Sequence, residues 1–205
     1  THSARGEEIS RVASVASFFV SRIDSLIDSQ LDATLKTEKD VKAQSLFKSV
    51  QGKVAIANAK ITYQKYLKLF GGPRWKALGA NGGQTQRVLW ASTSTKNPAY
   101  RDVIYVEELI GPDTVDTIPP ATFDAFRDHG KVRQSLTENL DAARQTMENL
   151  AKTGVSMKAI TDQLLDDAVK LFSDPFAKLL AAIEAKTKSS PKSSTGINRQ
   201  SRKLA

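Results

Sequence analysis

The hydrophobic pattern of the chain alternates between short apolar runs and longer amphipathic stretches. Apolar runs at 12–20 and 88–91 predict two strands, the first of them buried on both faces. Apolar residues at intervals of three and four predict a helix after residue 22 and one long helical stretch over 41–70. An alternating run over 113–118 predicts a third strand. Strands separated by helices in this order are typical of a parallel α/β fold.

The last third of the chain predicts helices alone. Ser135 and Glu138 have the spacing of a capping box, in which each side chain reaches the other's backbone N–H. Asp174 followed by Pro175 predicts a separate last helix, because proline fits the first helical position. The helix before it is expected to turn Leu171 inward.

Residues 88–98 run from the second predicted strand straight into small hydroxyl and cationic side chains. Ser92, Thr93, Thr95 and Lys96 follow the strand, and a helical pattern begins shortly afterwards. In parallel α/β folds, binding groups collect where the carboxyl ends of the strands meet the loops. Hydroxyls and a lysine beside a helix start suit a phosphate. The alternative is a solvated loop, since most polar loops bind nothing.

Ser17 and Arg22 stand at the end of the first predicted strand. The planar guanidinium of Arg22 can hold a phosphate or carboxylate through two hydrogen bonds, which lysine cannot do. The alternative is a surface arginine paired with Asp24 or Asp28 on the following helix. Both interpretations stay open at this point.

The composition is that of a globular chain of about one domain. Of 205 residues, 40% are hydrophobic and 25% charged, and no apolar run is long enough to cross a membrane. Cysteine is absent, which excludes disulfides and fits a reducing compartment. We therefore expect a cytoplasmic protein, or a plastid one in a photosynthetic eukaryote. His2 and His129 have no partner at metal-binding spacing, so no metal or other cofactor is predicted.

The net charge of +8 is concentrated at the carboxyl end. Residues 186–205 hold six of these excess cations and no acid. Nucleic-acid binders usually carry their charge on a folded face with aromatics between the cations. A Ser/Lys-rich end predicts instead a disordered basic tail over 187–205, with a disordered segment also at 1–10. Nucleic acid and membrane are thus not expected partners, although the tail's charge keeps nucleic-acid binding as a minor alternative.

Three stretches together resemble transaldolases of the longer bacterial-type branch, and the resemblance covers about residues 11–186. They are Ala-Ser-Phe-Phe-Val-Ser-Arg over 16–22, Leu-Trp-Ala-Ser-Thr-Ser-Thr-Lys-Asn-Pro over 89–98, and the run from Val106 to Pro120. The resemblance implies a (β/α)8 barrel of which 11–186 would be a partial domain, holding strands six to eight and the helices that follow. It also implies that a dihydroxyacetone unit passes between sugar phosphates through a Schiff base on a barrel lysine, in the pentose phosphate pathway.

The resemblance also implies roles for four residues. Arg22, Ser92 and Lys96 would bind the terminal phosphate of the substrate, and Ser17 would bind its hydroxyl groups. Lys96 differs from the arginine of shorter family members. The Schiff-base lysine of the fourth strand, and the acids of the first and third, would lie outside this chain. No catalytic residue is therefore assigned here, and the chain alone is expected to be inactive.

Two other interpretations remain open at the level of sequence. One is a structural subunit, a retained half-barrel that docks in a larger assembly through its basic tail. The other is a basic helical nucleic-acid binder. The resemblance favours the enzyme, with sugar phosphates as its partners and with an oligomeric state that the sequence leaves undetermined.

Overall fold

The computed structural model describes residues 5–189, and it confirms an α/β fold that is rich in helices. The strands are β1 (Val15–Phe19), β2 (Arg87–Ala91) and β3 (Thr114–Asp116). The helices are α1 (Val20–Leu35), α2 (Val41–Val50), α3 (Val54–Phe70), α4 (Pro73–Ala80), α5 (Ile104–Glu108), α6 (Pro120–His129), α7 (Leu140–Lys152) and α8 (Met157–Ser189). A 3-10 turn, Ser135–Thr137, precedes α7.

The three strands form a parallel sheet in the order β1-β2-β3. Phe18 lies beside Trp90, and Trp90 lies beside Asp116. Parallel neighbours need a crossover, and helices α1–α4 supply the first one while α5 supplies the second. The carboxyl ends of all three strands therefore lie at one edge of the sheet.

Among residues 5–189, the helices pack on the face of the sheet that carries Val88 and Trp90, and the face that carries Val15 and Ser17 is the open one. Trp90 is 1% exposed and meets the ring of Phe18 edge-on, with 5.6 Å between the ring centroids. Val15 is 40% exposed and Ser17 is also exposed. The expectation that the first strand is buried on both faces is therefore wrong, because β1 is an edge strand whose first three residues are exposed and only Phe18 and Phe19 are half-buried.

The long helical stretch predicted over 41–70 is two helices rather than one. Gly52 adopts a left-handed backbone conformation at φ 66°, which ends the path of α2 before α3 begins. Its N–H donates to Asp28 Oδ1 over 3.1 Å. A methyl group at this position would lie 2.5 Å from the ring of Tyr100, so the turn also needs the absence of a side chain.

The capping box predicted at Ser135 and Glu138 is not formed. Ser135 Oγ instead accepts from the N–H of Ile110 at 3.2 Å, and it donates to the carbonyl of Glu107. Glu138 accepts from Arg133 Nε at 2.9 Å. Ser135 therefore joins this turn to the end of α5, because its buried polar partners there replace the local cap.

Residues 165–189 form a second unit. It is the continuation of α8, and the helix passes through Pro175 without a break. The separate last helix expected at Asp174 is therefore wrong. Leu171 is 57% exposed, so its predicted inward position is also wrong for this unit. Most of the predicted tail, residues 190–205, and residues 1–4 of the amino-terminal segment lie outside the described residues. No helix within 5–189 has the length and apolar character to cross a membrane.

Candidate functional site

The ends of β1 and β2 are joined by hydrogen bonds between two serines. β1 ends at Phe19, which pairs with Ala91 at the end of β2, and α1 begins at the very next residue. The N–H of Ser21 donates to the carbonyl of Ser92 over 3.0 Å. Ser21 Oγ also donates to Ser92 Oγ over 3.3 Å. Two hydroxyl groups therefore lie side by side at the carboxyl edge of the sheet. We refer to Ser17, Ser21, Arg22 and Ser92 as the strand-end cluster.

Ser92 owes its position to a left-handed turn just after β2. Its φ is 58°, a conformation that a residue with a side chain adopts only when its surroundings hold it there. The next residue, Thr93, is completely buried, and its Oγ1 donates to Asp116 Oδ1 over 2.9 Å. The hydrogen bond ties the turn to the end of β3. The hydroxyl of Ser92 is thereby fixed between two neighbouring strands.

Asp116 is a carboxylate with an unusual proton affinity. Burial raises the pKa of Asp116 to about 6, and the hydrogen bond from Thr93 opposes that rise. A group with this pKa changes charge near neutral pH, while an exposed aspartate does not. Asp116 accepts a hydrogen bond from Thr93 rather than from Ser92. It therefore affects the position of Ser92 only by holding the turn in place.

Arg22 lies at the amino end of α1 and reaches back to the sheet. Its guanidinium carbon is 4.9 Å from the centroid of the Phe19 ring. Phe19 and Ser17 are two residues apart in β1 and share one face of the strand. The first turn of α1 contains no acidic residue, so the positive pole of the helix dipole is not neutralised locally.

The alternative in which Arg22 pairs with an aspartate of α1 does not match the contacts of those aspartates. Asp24 Oδ1 accepts from the N–H of Ala55 at 2.8 Å, and Asp28 Oδ1 accepts from the N–H of Gly52. Both carboxylates face α3, so they hold the start of that helix rather than the arginine.

Lys96 lies in a different place from the strand-end cluster. Its ammonium donates to Ser94 Oγ over 2.7 Å, and its side chain is exposed. It lines a cleft of about 540 Å³ whose other wall is α1. That wall presents the carboxylates Asp24, Asp28 and Asp32. A cleft with three aspartates disfavours an anion, so the surroundings of Lys96 suit a phosphate less well than those of Ser92 and Arg22.

Two tyrosines hold the segment after β2 on α1, Tyr100 in the loop that carries Ser92 and Lys96 and Tyr105 in α5. Tyr105 donates through its hydroxyl to Asp24 Oδ2 over 2.9 Å. Tyr100 donates in the same way to Asp28 Oδ2 over 2.8 Å. Each aspartate therefore accepts a tyrosine from one side and a backbone N–H from the other. The loop after β2 and the helix that carries Arg22 are thus one hydrogen-bonded frame.

Burial dominates the electrostatics of this frame. It raises the pKa of Asp24 to about 6, against the hydrogen bonds from Ala55 and Tyr105, and the charge of Asp28 adds to the rise. The pKa of Asp28 is also raised by burial. The pKa values of Tyr100 and Tyr105 are raised, first by burial and then by the neighbouring aspartates. Both tyrosines therefore stay protonated and act as donors.

Sequence reasoning placed Ser17, Arg22 and Ser92 at strand ends. The structure puts Arg22 and Ser92 just past the carboxyl ends of β1 and β2, whereas Ser17 is the middle residue of β1 and pairs with Leu89. Sequence reasoning missed the partner of Ser92, which is Ser21. It also missed that Asp24 and Asp28 are buried. Their position beside Ile23 and Ile27 on the apolar face of α1 was the available signal. Across residues 5–189, no group of three or more histidines, aspartates and glutamates has a geometry that could hold a metal ion.

A parallel sheet with helical crossovers defines an α/β protein, and hydroxyls and a guanidinium lie at its carboxyl edge, where ligands bind in many folds of this class. The family model described as Transaldolase/Fructose-6-phosphate aldolase matches residues 3–183. The chain therefore belongs to the transaldolase/fructose-6-phosphate aldolase family.

Several curated relatives are similar over most of the chain. A transaldolase of Trichodesmium erythraeum is 50% identical over 187 residues, which are 90% of this chain and 49% of the relative. A protein of Nostoc sp. named transaldolase 2 is 47% identical, with the same shares. A transaldolase of Frankia alni is 46% identical over 87% of this chain and 46% of its own length. The chain thus spans about half the length of these relatives.

Proposed function

We propose that this chain is the carboxyl-terminal part of a transaldolase barrel and supplies its phosphate-binding edge. The reaction would transfer a dihydroxyacetone unit from sedoheptulose 7-phosphate to glyceraldehyde 3-phosphate, giving erythrose 4-phosphate and fructose 6-phosphate. β1, β2 and β3 would be the sixth, seventh and eighth strands. The observation that carries the proposal is the pairing of Ser21 with Ser92 at 3.3 Å, beside Arg22, in a chain of this family.

The strand-end cluster can bind the terminal phosphate of a sugar through charge and hydrogen bonds together. Arg22 would give a bidentate contact, and the hydroxyl of Ser92 would donate a further hydrogen bond. The amino end of α1 would add the attraction of its dipole. Ser17, two residues before Phe19 on the open face of the sheet, would face the substrate's hydroxyl groups.

The reactive amine would come from outside this chain. In the part of the chain that the structure describes, no strand contains a lysine. Lys60 is buried, as a reactive lysine would be, but it lies on α3. Its ammonium is 2.9 Å from Glu108 Oε2. Lys96 is exposed on a loop. A Schiff base needs an unpaired amine at the barrel axis, whereas Lys60 lies on a helix with a carboxylate partner and Lys96 lies on a loop.

The open side of the sheet supports the same proposal. Among the described residues, β1 and β3 pair only with β2, so each leaves one strand edge without a partner strand. Val15 is exposed on the face that a barrel would turn to its interior. Five further strands would cover both edges and that face.

The test uses a chimera in which this chain replaces the segment that it matches in the Trichodesmium transaldolase. Arg22→Ala and Ser92→Ala in the chimera are each expected to raise the KM for fructose 6-phosphate by about 10-fold to 100-fold. For unphosphorylated fructose, which has no phosphate to bind, each substitution should raise the KM much less. Lys36→Ala is the matched control, because Lys36 lines the same cleft as Lys96.

Lys96→Ala separates the two possible roles of that lysine. A KM raised as much as in Arg22→Ala would place Lys96 at the phosphate, whereas a KM like that of Lys36→Ala would leave it as a cleft residue. If Arg22→Ala and Ser92→Ala both keep the KM of the chimera, the strand-end cluster does not bind the phosphate.

A further inference from the structure

One face of α8 carries an unbroken series of exposed apolar side chains. We call it the α8 stripe, and it consists of Leu165, Val169, Phe172, Phe176, Leu179 and Ile183. Each of the six is between 52% and 68% exposed. The intervals between them alternate between four and three residues, so that at 100° per residue all six fall within about 80° of the helix circumference.

The opposite face of this helix is charged. Asp167, Lys170, Asp174, Lys178 and Lys188 lie there. A helix with one apolar and one charged face buries the apolar face against another surface. Two exposed phenylalanines one turn apart, flanked by four aliphatic residues, exceed the scattered apolar residues of an ordinary surface.

The residues that follow α8 in the sequence are too polar to supply a cover of matching size. Residues 190–205 contain only Ile197 and Leu204 as large apolar residues, so they cannot match six. The family match, however, continues to residue 183, where the stripe also ends. The stripe is therefore part of what the chain shares with the family rather than an appended segment. The relatives that share it are about twice as long as the chain.

We propose that the α8 stripe is the docking face for the polypeptide that corresponds to the rest of the relatives' length. The occupant is an apolar helical surface of the barrel's other βα units, and it covers Phe172 and Phe176 in the assembled enzyme. The inference rests on the proposed function, because it takes the missing barrel units as the partner. Beyond the proposed function, the inference states that this chain contacts the other barrel units through the α8 stripe as well as through the edges of its sheet.

The experiment compares two double variants in two settings. Phe172→Asp/Phe176→Asp puts two carboxylates into the stripe. Ala177→Asp/Ala181→Asp puts two carboxylates, also one turn apart, on the exposed opposite side of the same helix. Each pair is made in the 205-residue chain and in the chimera, and the Tm of each protein is measured, with circular dichroism as the check on helix content.

The stripe variant is expected to lower the Tm of the chimera by at least about 5 °C, because it buries two charges against the partner surface. The control variant should leave the chimera within about 2 °C of its parent. In the 205-residue chain, both double variants should behave alike. That pattern supports the docking face.

Three results would overturn it. Equal effects of the two double variants in the chimera would show that the other barrel units do not cover the stripe. A loss of Tm in the 205-residue chain that equals the loss in the chimera would show cover from within this chain. A dimer of the 205-residue chain in sedimentation, abolished by the stripe variant alone, would assign the stripe to a second copy.

The activity of the chimera is read separately. An inactive chimera that still shows the stripe-specific loss of Tm would overturn the proposed function and leave the docking face standing. An active chimera without that loss of Tm would support the proposed function and overturn the docking face.

Discussion

Thr93 and Asp116 lie on neighbouring strand ends and share a hydrogen bond of 2.9 Å, with the threonine completely buried. Thr93→Val keeps the shape of the side chain and removes the donor. It leaves a partly buried carboxylate without that partner, so we expect a loss of about 1–3 kcal/mol in the free energy of unfolding. Denaturant titration of the purified chain measures the loss.

Thr34→Val is the control for that substitution. Thr34 is exposed on α1, and its hydroxyl donates to the carbonyl of Gln30 one turn earlier. The change there should stay within about 0.5 kcal/mol. Equal effects of the two substitutions would show that the bond to Asp116 does not hold the turn in place.

Asp116 also predicts how stability changes with pH. Its pKa in the folded chain is about 6, above the ordinary value of 3.8, so the folded state binds the proton more tightly than the unfolded state does. The free energy of unfolding should therefore rise as the pH falls from 7.5 to 5. Asp24 and His129 have raised pKa values as well and contribute with the same sign.

Asp116→Asn isolates the share that belongs to Asp116. The increase in stability between pH 7.5 and pH 5 should be smaller in this variant than in the parent chain, because the other groups remain. An identical increase in both proteins would mean that Asp116 titrates as an exposed carboxylate.

Tyr105→Phe tests the frame that fastens the loop to α1. The substitution removes the donor to Asp24 Oδ2 in a buried place, and we expect it to cost about 1–3 kcal/mol. The hydrogen bond from Tyr105 lowers the pKa of Asp24. Without it, that pKa should rise beyond about 6 in a carboxyl NMR titration. Tyr66→Phe is the control, since the Tyr66 ring stacks on Tyr63 with 5.6 Å between the centroids and phenylalanine retains that contact. A pKa of Asp24 that does not move would contradict the frame.

Gly52→Ala tests the turn between α2 and α3. Gly52 and Gly154 both have positive φ, at 66° and 82°. A Cβ on Gly52 would lie 2.5 Å from Tyr100, whereas one on Gly154 would meet no atom within 4 Å. Gly154→Ala should therefore cost about 1–2 kcal/mol from backbone strain alone, and Gly52→Ala clearly more. Thermal unfolding of both variants gives the comparison, and equal costs would show that Tyr100 yields without penalty.

The fold class and the strand-end positions could be predicted from local patterns, because a buried run followed by a polar loop has a direct meaning in a parallel α/β chain. The register that brings Ser92 beside Ser21 could not, since it depends on contacts 71 residues apart in sequence. The capping box at Ser135 failed for the same reason: a distant carbonyl, that of Glu107, proved the better partner.

The break within 41–70 was hidden by residues that suit a helix on both sides of Gly52. Only the packing of Tyr100 and the acceptor on Asp28 decide that the chain turns there. At the carboxyl end the sequence predicted two helices where the structure has one. Asp174 and Pro175 have the local signature of a helix start, yet α8 continues through them. A local sequence signal of this kind shows which backbone conformations a residue can adopt, and tertiary contacts determine which of them forms.

Borohydride trapping tests the central claim most directly, that this chain holds the phosphate while another part of the barrel holds the amine. The chimera and the 205-residue chain are each incubated with fructose 6-phosphate and borohydride, and the labelled peptide is mapped by mass spectrometry. The account predicts a reduced imine in the chimera on a lysine from the Trichodesmium portion, with no label on the 205-residue chain. A sugar adduct on any lysine of this chain, or transaldolase turnover by the chain alone, would contradict it.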